Sequence, residues 1–258
     1  MTIPDPAKVT RIIREAAEAE ILPRFKNLKA CQIREKKPNQ LVTEADIEAE
    51  KVLSRRLTEL LPGAVVGEEG VETDLALLKA LERPGIVWVI DPVDGTGNFA
   101  NGRPRFAVAV ALVVDGRTKA GWIHDPVPNR TIMAIEGEGC WRDETERLKL
   151  KVAHEVPLAE MSGSVKKKGP INDRVLHVGR RGSAAHDYLD LVTGRLHFAH
   201  FKRLMPWDHA AGVLMHAEAG GYGAMLDGSA YTPVLHGDGQ LLLAPGRGSW
   251  GELRPLFD

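Results

Sequence analysis

Apolar positions give the chain its first outline. Between Ala7 and Leu28 they fall at Val9, Ile12, Ile13, Ala16, Ala17 and Ile21, the spacing of one helix face. Pro23, which cannot donate to the preceding turn, bends or ends that helix. After a basic polar stretch, "REKKPNQ", read as a loop, the helical period resumes in "LVTEADIEAEKVLSRRLTELLPG". Thr43 is placed to cap its first turn, with Asp46 three residues on much as in a capping box, and Pro62-Gly63 stops it. A short strand ("AVVGEEG"), a helix around Asp74 to Glu82 and an apolar strand from Ile86 to Ile90 follow. "RFAVAVALVVDGRTKAGWIHDP" predicts a hairpin turning at Asp115-Gly116, and further strands continue to about Ala153. The second half predicts a helix from Ser183 to Thr193, a strand from Arg195 to Phe201, a helix from Trp207 to Ala219 and a strand from Gln240 to Ala244.

Two helices leading into an antiparallel meander, then a mixed half, predict layered sheets and helices of the α/β (α+β) class. The soft boundary near Thr145 divides residues 1–145 from 146–258. Composition then narrows the function. Over 258 residues the formal charge is -1, which provides no general field for a nucleic acid polymer or an anionic membrane. Any function based on charge is therefore local. No apolar run approaches bilayer length, and "MTIPDPAKVTRIIREAAEAE" lacks the basic start and apolar core of a signal peptide. Cys31 and Cys140 have neither the number nor the spacing of a disulfide framework or zinc site. The expectation is a cytoplasmic protein with two unpaired thiols.

The candidate chemistry sits in "VWVIDPVDGTGNF", residues 87–99. If the strand ends at Ile90, Asp91 emerges at a sheet's carboxyl edge, where open α/β folds gather ligands. Pro92 stiffens the turn, Asp94 lies three residues beyond Asp91, and Gly95 lets the backbone double back. A helix beginning at Thr96 would point the free N–H groups of Gly95 and Thr96 at the space the acids flank. A cation and an anion can share such a place, although a lone D-x-x-D also serves as an Asp-capped turn. "GEEG" adds Glu68 and Glu69 on a loop after a strand. "PWDHAAGVLMHAEAGG" adds Asp208 in the first turn of a helix, where it also suits the helix dipole. Carboxylates with no histidine or cysteine cluster point to a hard cation such as Mg²⁺, if to any metal.

Taken in order, "LVTEAD", "GEEG", "WVIDPVDGTGNFANGRPRFAVAVAL", "GSAAHDYL" and "PWDHAAGVLMHAEAGG" resemble the inositol monophosphatase family of Mg²⁺-dependent, Li⁺-sensitive phosphatases, over nearly the whole chain. The resemblance implies a layered αβαβα sandwich of the sugar-phosphatase kind, a homodimer, and two or three Mg²⁺ per active site. It implies Glu68, Asp91 and the carbonyl of Val93 as ligands of one metal, and Asp91, Asp94 and Asp208 as ligands of a second. Asp46 and Thr96 would position the attacking water, with Glu68 completing the catalytic set. Gly95 and Thr96 would face the phosphate, and Gly182, Ser183 and Ala184 the substrate. The implied reaction is hydrolysis of a small phosphate ester by metal-activated water, without a covalent phosphoenzyme.

Two positions depart from the family pattern. Gln40 stands where an aspartate commonly precedes "LVT", altering the outer shell of the metals. Phe201 stands seven positions before Asp208, where inositol-specific members carry an acid that binds sugar hydroxyls. Dephosphorylation survives this change, but inositol as substrate is put in doubt. Histidinol-phosphate phosphatase, 3'(2'),5'-bisphosphate nucleotidase and fructose-1,6-bisphosphatase activities are the alternatives, and an apolar Phe201 suits an imidazole or nucleobase better than a polyol. A catalytically silent metabolite-binding or regulatory protein is the rival of another class; the intact acidic set argues against it. Lys166, Lys167 and Lys168 read as a solvated loop, or alternatively as a site for a second phosphate. Arg180, Arg181, Lys202 and Arg203 lie near the substrate segments. His209 reads as structural, and His197 and His200, three apart on a strand, point to opposite faces.

Overall fold

The computed structural model describes residues 3–37, 40–142, 148–166 and 169–257. Helix α1 (Pro6–Ala16) opens on Asp5, whose carboxylate accepts from Ala7 N. It continues as one π turn (Ala17–Ile21) and one 3-10 turn (Leu22–Arg24) and ends around Pro23. The "REKKPNQ" stretch is not all loop: β1 (Ile33–Lys37) pairs antiparallel with β2 (Gln40–Thr43). This ribbon is separate from the large sheets, so it needs no alternating apolar face and leaves no such pattern.

Helix α2 (Glu44–Leu60) starts at the Thr43–Asp46 capping box. Strand β3 (Ala64–Gly67) leads into α3 (Glu68–Thr73), so Glu68 and Glu69 open a short helix rather than ride on a loop. The segment Leu75–Glu82 is 3-10 helical. Strand β4 (Ile86–Asp94) runs past Ile90, its pairing interrupted only between Asp91 and Asp94, and α4 (Thr96–Ala100) follows. Strands β5 (Ala107–Val114) and β6 (Arg117–Asp125) form the expected hairpin, with φ of 49° at Asp115 and 74° at Gly116, as a type I′ turn requires. Then come β7 (Arg130–Ile135), β8 (Gly139–Arg142) and β9 (Leu148–Lys149). The boundary placed near Thr145 lies outside the described residues. The second half contributes β10 (Ser162–Val165), β11 (His177–Gly179), α5 (Ala184–Val192), β12 (Phe198–Phe201), α6 (Pro206–Glu218), β13 (Tyr222–Met225), β14 (Leu241–Ala244) and α7 (Arg247–Leu253).

Seven strands in the order β3-β4-β5-β6-β7-β8-β9 make one sheet, and five in the order β11-β10-β12-β14-β13 make the other. Strand alternation shows how they stack. Trp88, Ile90, Val108 and Val110 pack with Leu53 and Leu57 of α2 and Ile13 of α1. Their neighbours Val87, Val89, Ala109 and Ala111 face the other way, against Tyr188 of α5 and Ala210 and Ala211 of α6. Leu241 and Leu243 join that same middle layer, while Leu242 and Ala244 turn outward to Leu253 of α7. The architecture is the expected αβαβα sandwich, with α5 and α6 between the sheets. Gly121 lets α6 approach β6: a Cβ there would stand 2.8 Å from the Ala211 Cα.

Candidate active site

The acids converge because β4 ends beside the start of α6. Asp91 and Asp94 straddle the irregularity in the β4–β5 pairing, and Asp208 lies in the first turn of α6, where Pro206 fixes the helix entry. One oxygen from each of Asp91, Asp94 and Asp208 falls within 4.8 Å of the others. Burial first pushes these carboxyls above their ordinary range: Asp91 well above and Asp208 to about 7, with repulsion from neighbouring acids adding to both, and Asp94 upward against the hydrogen bonds from Ser183, Ala185 and Ala184. Buried oxygens this close are costly as anions unless a positive charge lies among them. An all-carboxylate donor set suits a hard divalent ion, so these residues fit Mg²⁺.

Glu68, at the start of α3, lines the same cavity but stands outside the tight trio. Burial drives its carboxyl well above the ordinary range, opposed by Lys36, with Asp208 among the charges that repel it. Lys36 of β1 places its Nζ 2.6 Å from Glu69 and 3.5 Å from Glu68. Burial alone would lower this ammonium's pKa, but the two glutamates outweigh it and raise it. Glu50 of α2 accepts from Glu69 N and Gly70 N at 2.8 and 2.7 Å, holding the α3 turn in place. Burial lifts its carboxyl to about 7.

Asp46 serves two partners. Its Oδ2 accepts from the N–H and hydroxyl of Thr43, at 2.8 and 2.5 Å, which completes the α2 cap. Its Oδ1 lies 3.0 Å from the Thr96 hydroxyl, which is also 3.0 Å from the Val93 carbonyl. Burial raises Asp46 to about 6 despite the hydrogen bonds from Thr43 and Thr96. Between Asp94 and Thr96, Gly95 adopts φ 89°, and a Cβ there would meet the Arg105 carbonyl at 2.8 Å. Glycine is required on both counts. Asn98 Nδ2 ties the turn to its surroundings by donating to the carbonyls of Arg105 (2.8 Å) and Arg181 (3.0 Å).

Gly182, Ser183 and Ala184 line the same cavity, of about 640 Å³, directly beside Asp94. Asp94 accepts from the Ser183 hydroxyl and from Ala185 N (2.7 Å) and Ala184 N (3.2 Å). Ser183 has one hydrogen, and it goes to Asp94. The His186 Nδ1, 3.0 Å from Ser183 Oγ, must then be the donor in that contact. Its Nε2 faces Asp125 Oδ2 at 3.5 Å, so with both ring nitrogens protonated an Asp125–His186–Ser183–Asp94 chain runs through the wall. Phe201 also lines the cavity, stacked on Tyr188 with ring centroids 5.3 Å apart. His209 Nε2 donates to the Arg203 carbonyl (2.9 Å), leaving Nδ1 to accept from the Tyr188 hydroxyl (2.9 Å). That is the structural role expected of His209. His197 accepts from Ser162 N while His200 meets Gln240, and the two form no pair.

The structure thus brings Glu68, Asp94, Asp208 and Thr96 to one cavity with Asp91 and Asp46 buried behind them, and Gly182, Ser183, Ala184 and Phe201 line that same cavity. Gln40 begins β2, but its side chain, like Lys167 and Lys168, lies outside the described residues. Sequence reasoning missed Lys36, Glu50, Asn98 and the His186–Asp125 pair. Only Glu50 left a signal: with Asp46 it puts a second acid on the buried Ala45–Ala49–Leu53 face of α2, where a charge needs a partner.

Residues 5–254 match the family model described as "Inositol monophosphatase family". The inositol-1-monophosphatase of Bacillus subtilis is 34% identical over 206 residues, 76% of each chain. A protein of Thermotoga maritima described as fructose-1,6-bisphosphatase/inositol-1-monophosphatase is 34% identical over 190 residues, 70% of each chain. The solved structure of a Thermotoga maritima IMPase superposes with a TM-score of 0.80 at 26% identity, covering 95% of this chain and 92% of that one. With the carboxylate trio, the αβαβα layers and these likenesses in agreement, the chain belongs to the inositol monophosphatase family and is a phosphoric monoester hydrolase.

Proposed function

We propose that the protein hydrolyses a small polar phosphate monoester in a Mg²⁺-dependent reaction at this cavity, and that inositol phosphate is not its preferred substrate. The observation that carries the reading is the approach of Asp91, Asp94 and Asp208 to within 4.8 Å. In this reading those three residues, with Glu68 and the Val93 carbonyl, hold the metal. Bound Mg²⁺ would neutralise phosphate charge and acidify a water nucleophile.

The chain's own groups do the rest. Thr96 Oγ1 gives its hydrogen to Asp46 Oδ1 or the Val93 carbonyl, which leaves lone pairs to accept from the attacking water and aim it. Asp46, lifted to about 6, is placed to receive a proton passed through that hydroxyl. The N–H groups of Gly95 and Thr96 open α4 toward the cavity and suit phosphate oxygens. Gly182, Ser183 and Ala184 border the alcohol half. Phe201 offers that half an apolar ring, where a carboxylate would grip a polyol.

Phosphate release from a panel of monoesters, with and without Mg²⁺, chelator and Li⁺, tests this reading. Hydrolysis that requires Mg²⁺, with inositol phosphate among the slower esters, is the expected result. Activity indifferent to a chelator would refute the metal assignment, and no release from any ester would favour a binding protein that has lost turnover.

A further inference from the structure

Strand β10 runs parallel to both β11 and β12, so these three neighbours present their carboxyl ends at one edge of the five-stranded sheet. The residue immediately after each strand is basic: Lys166 after β10, Arg180 after β11 and Lys202 after β12. Pairing of Ser164 with Gly179 and of Val165 with His200 leaves Arg180 one residue behind the level of Lys166 and Lys202 one residue ahead of it. Adjacent strands lie about 4.8 Å apart, so the row spans roughly 10 Å. All three side chains are exposed and line the active-site cavity. None of them has a carboxylate partner among the described residues. Arg181 differs, because Asp190 Oδ2 already accepts from its Nε at 2.5 Å.

The same cavity is lined by Glu68, Asp94 and Asp208, where the scissile phosphate with its cation belongs in the reading above, and by three cations with no carboxylate to answer them. Asp187 also borders the space, but its Oδ1 is buried and faces the Arg181 Nε at 4.0 Å, so it does not answer the basic row. A neutral alcohol would leave the basic row unanswered.

We infer that the alcohol half of the substrate carries a second anionic group, a phosphate or a carboxylate, seated against Lys166, Arg180 and Lys202. The inference rests on the phosphatase reading above and names the substrate class for the same site. The competing explanation is that these cations only steer any phosphate ester toward the acids.

Initial rates with Mg²⁺ on matched pairs separate the two: glycerol phosphate against phosphoglycerate for a carboxylate, and a hexose monophosphate against its bisphosphate for a phosphate. In the wild type at fixed ionic strength, the member with the second anion is expected to have kcat/KM at least about tenfold higher, chiefly through KM, as one charge-assisted contact provides. Whichever pair shows the gain identifies the anion. In the Arg180→Met/Lys202→Met double variant that ratio falls toward one, with the melting temperature checked to exclude misfolding. A ratio near one in the wild type overturns the inference while leaving the phosphatase reading intact. So does a loss in the variant that is equal for both members of a pair and disappears with added salt. No hydrolysis of any ester removes the phosphatase reading and this inference with it.

Discussion

Asp208→Asn tests the central geometry without needing a substrate. In the metal-free protein the three carboxylates within 4.8 Å repel, and Coulomb's law at an effective dielectric near 20 gives about 3 kcal/mol for each ionised pair. Because all three carboxyls are raised, the trio holds fewer than three charges, and the relief on replacing Asp208 is about one pair's worth. In a chain of this size each kcal/mol moves the melting temperature by about 2–4 °C, so metal-free Asp208→Asn should melt about 6–12 °C above the wild type. Mg²⁺ should reverse the order. At a hundred times Kd it stabilises the wild type by about 3 kcal/mol, but the variant, short of one ligand, gains little and loses nearly all phosphate release. Thermal melts in chelator and then across a Mg²⁺ titration give both numbers. A metal-free variant that melts below the wild type, or equal Mg²⁺ shifts in the two proteins, would show that Asp208 does not share a cation site with Asp91 and Asp94.

Other substitutions probe the wall and the core. His186→Phe removes the donor to Ser183 and strips Asp125 of its imidazole, so Mn²⁺ affinity measured calorimetrically without substrate should fall about tenfold, with partial recovery in His186→Gln. Unchanged affinity would make the Asp125–His186–Ser183 chain irrelevant to Asp94. Phe201→Glu should raise activity on inositol phosphate relative to aromatic esters; an unchanged ratio would remove Phe201 from substrate choice. Buried His216 is held neutral, its pKa lowered by burial to about 4. Folded below its unfolded value, it contributes stability that is present above about pH 6.5 and lost as pH falls toward 4, by about 1.4 kcal/mol per pH unit for a full proton. Urea melts across that window should show a shallower acid limb in His216→Gln.

Much of the acidic cluster was legible because its residues sit in contiguous motifs whose local chemistry is unusual. Asp91, Asp94 and Gly95 share one turn, and the backbone shows why glycine is needed there. The Thr43–Asp46 cap could be read from spacing alone, since capping is a three-residue matter. Contacts between distant segments left no such trace. Lys36 reaches Glu68 and Glu69 across 32 and 33 residues, from a ribbon whose charged sequence reads as loop. His186 looks like one polar position on an amphipathic helix until Ser183 is found bonded to Asp94. Strands β10, β11 and β13 were missed for a related reason: each is three or four residues long, too short for a period of two to stand out.

The division of labour between the two sheets has a consequence for how such a site can change. Asp91 and Asp94 come from β4 in the seven-stranded sheet, and Glu68 and Asp46 from helices bordering it. Lys166, Arg180 and Lys202 follow strands of the five-stranded sheet. Asp208, Ser183 and the interlayer helices α5 and α6 that they begin join the two. Each basic residue is exposed and just past a strand end, so replacing one removes no core contact and disturbs no carboxylate. Phe201 is different, because it stacks on Tyr188, whose hydroxyl donates to His209 next to Asp208. The rim can therefore vary at little structural cost, while a change at Phe201 is felt at His209, beside Asp208, both directly and through Tyr188. Substitutions that alter substrate choice alone should be found at the strand ends, and those at Phe201 should shift kcat as well as KM.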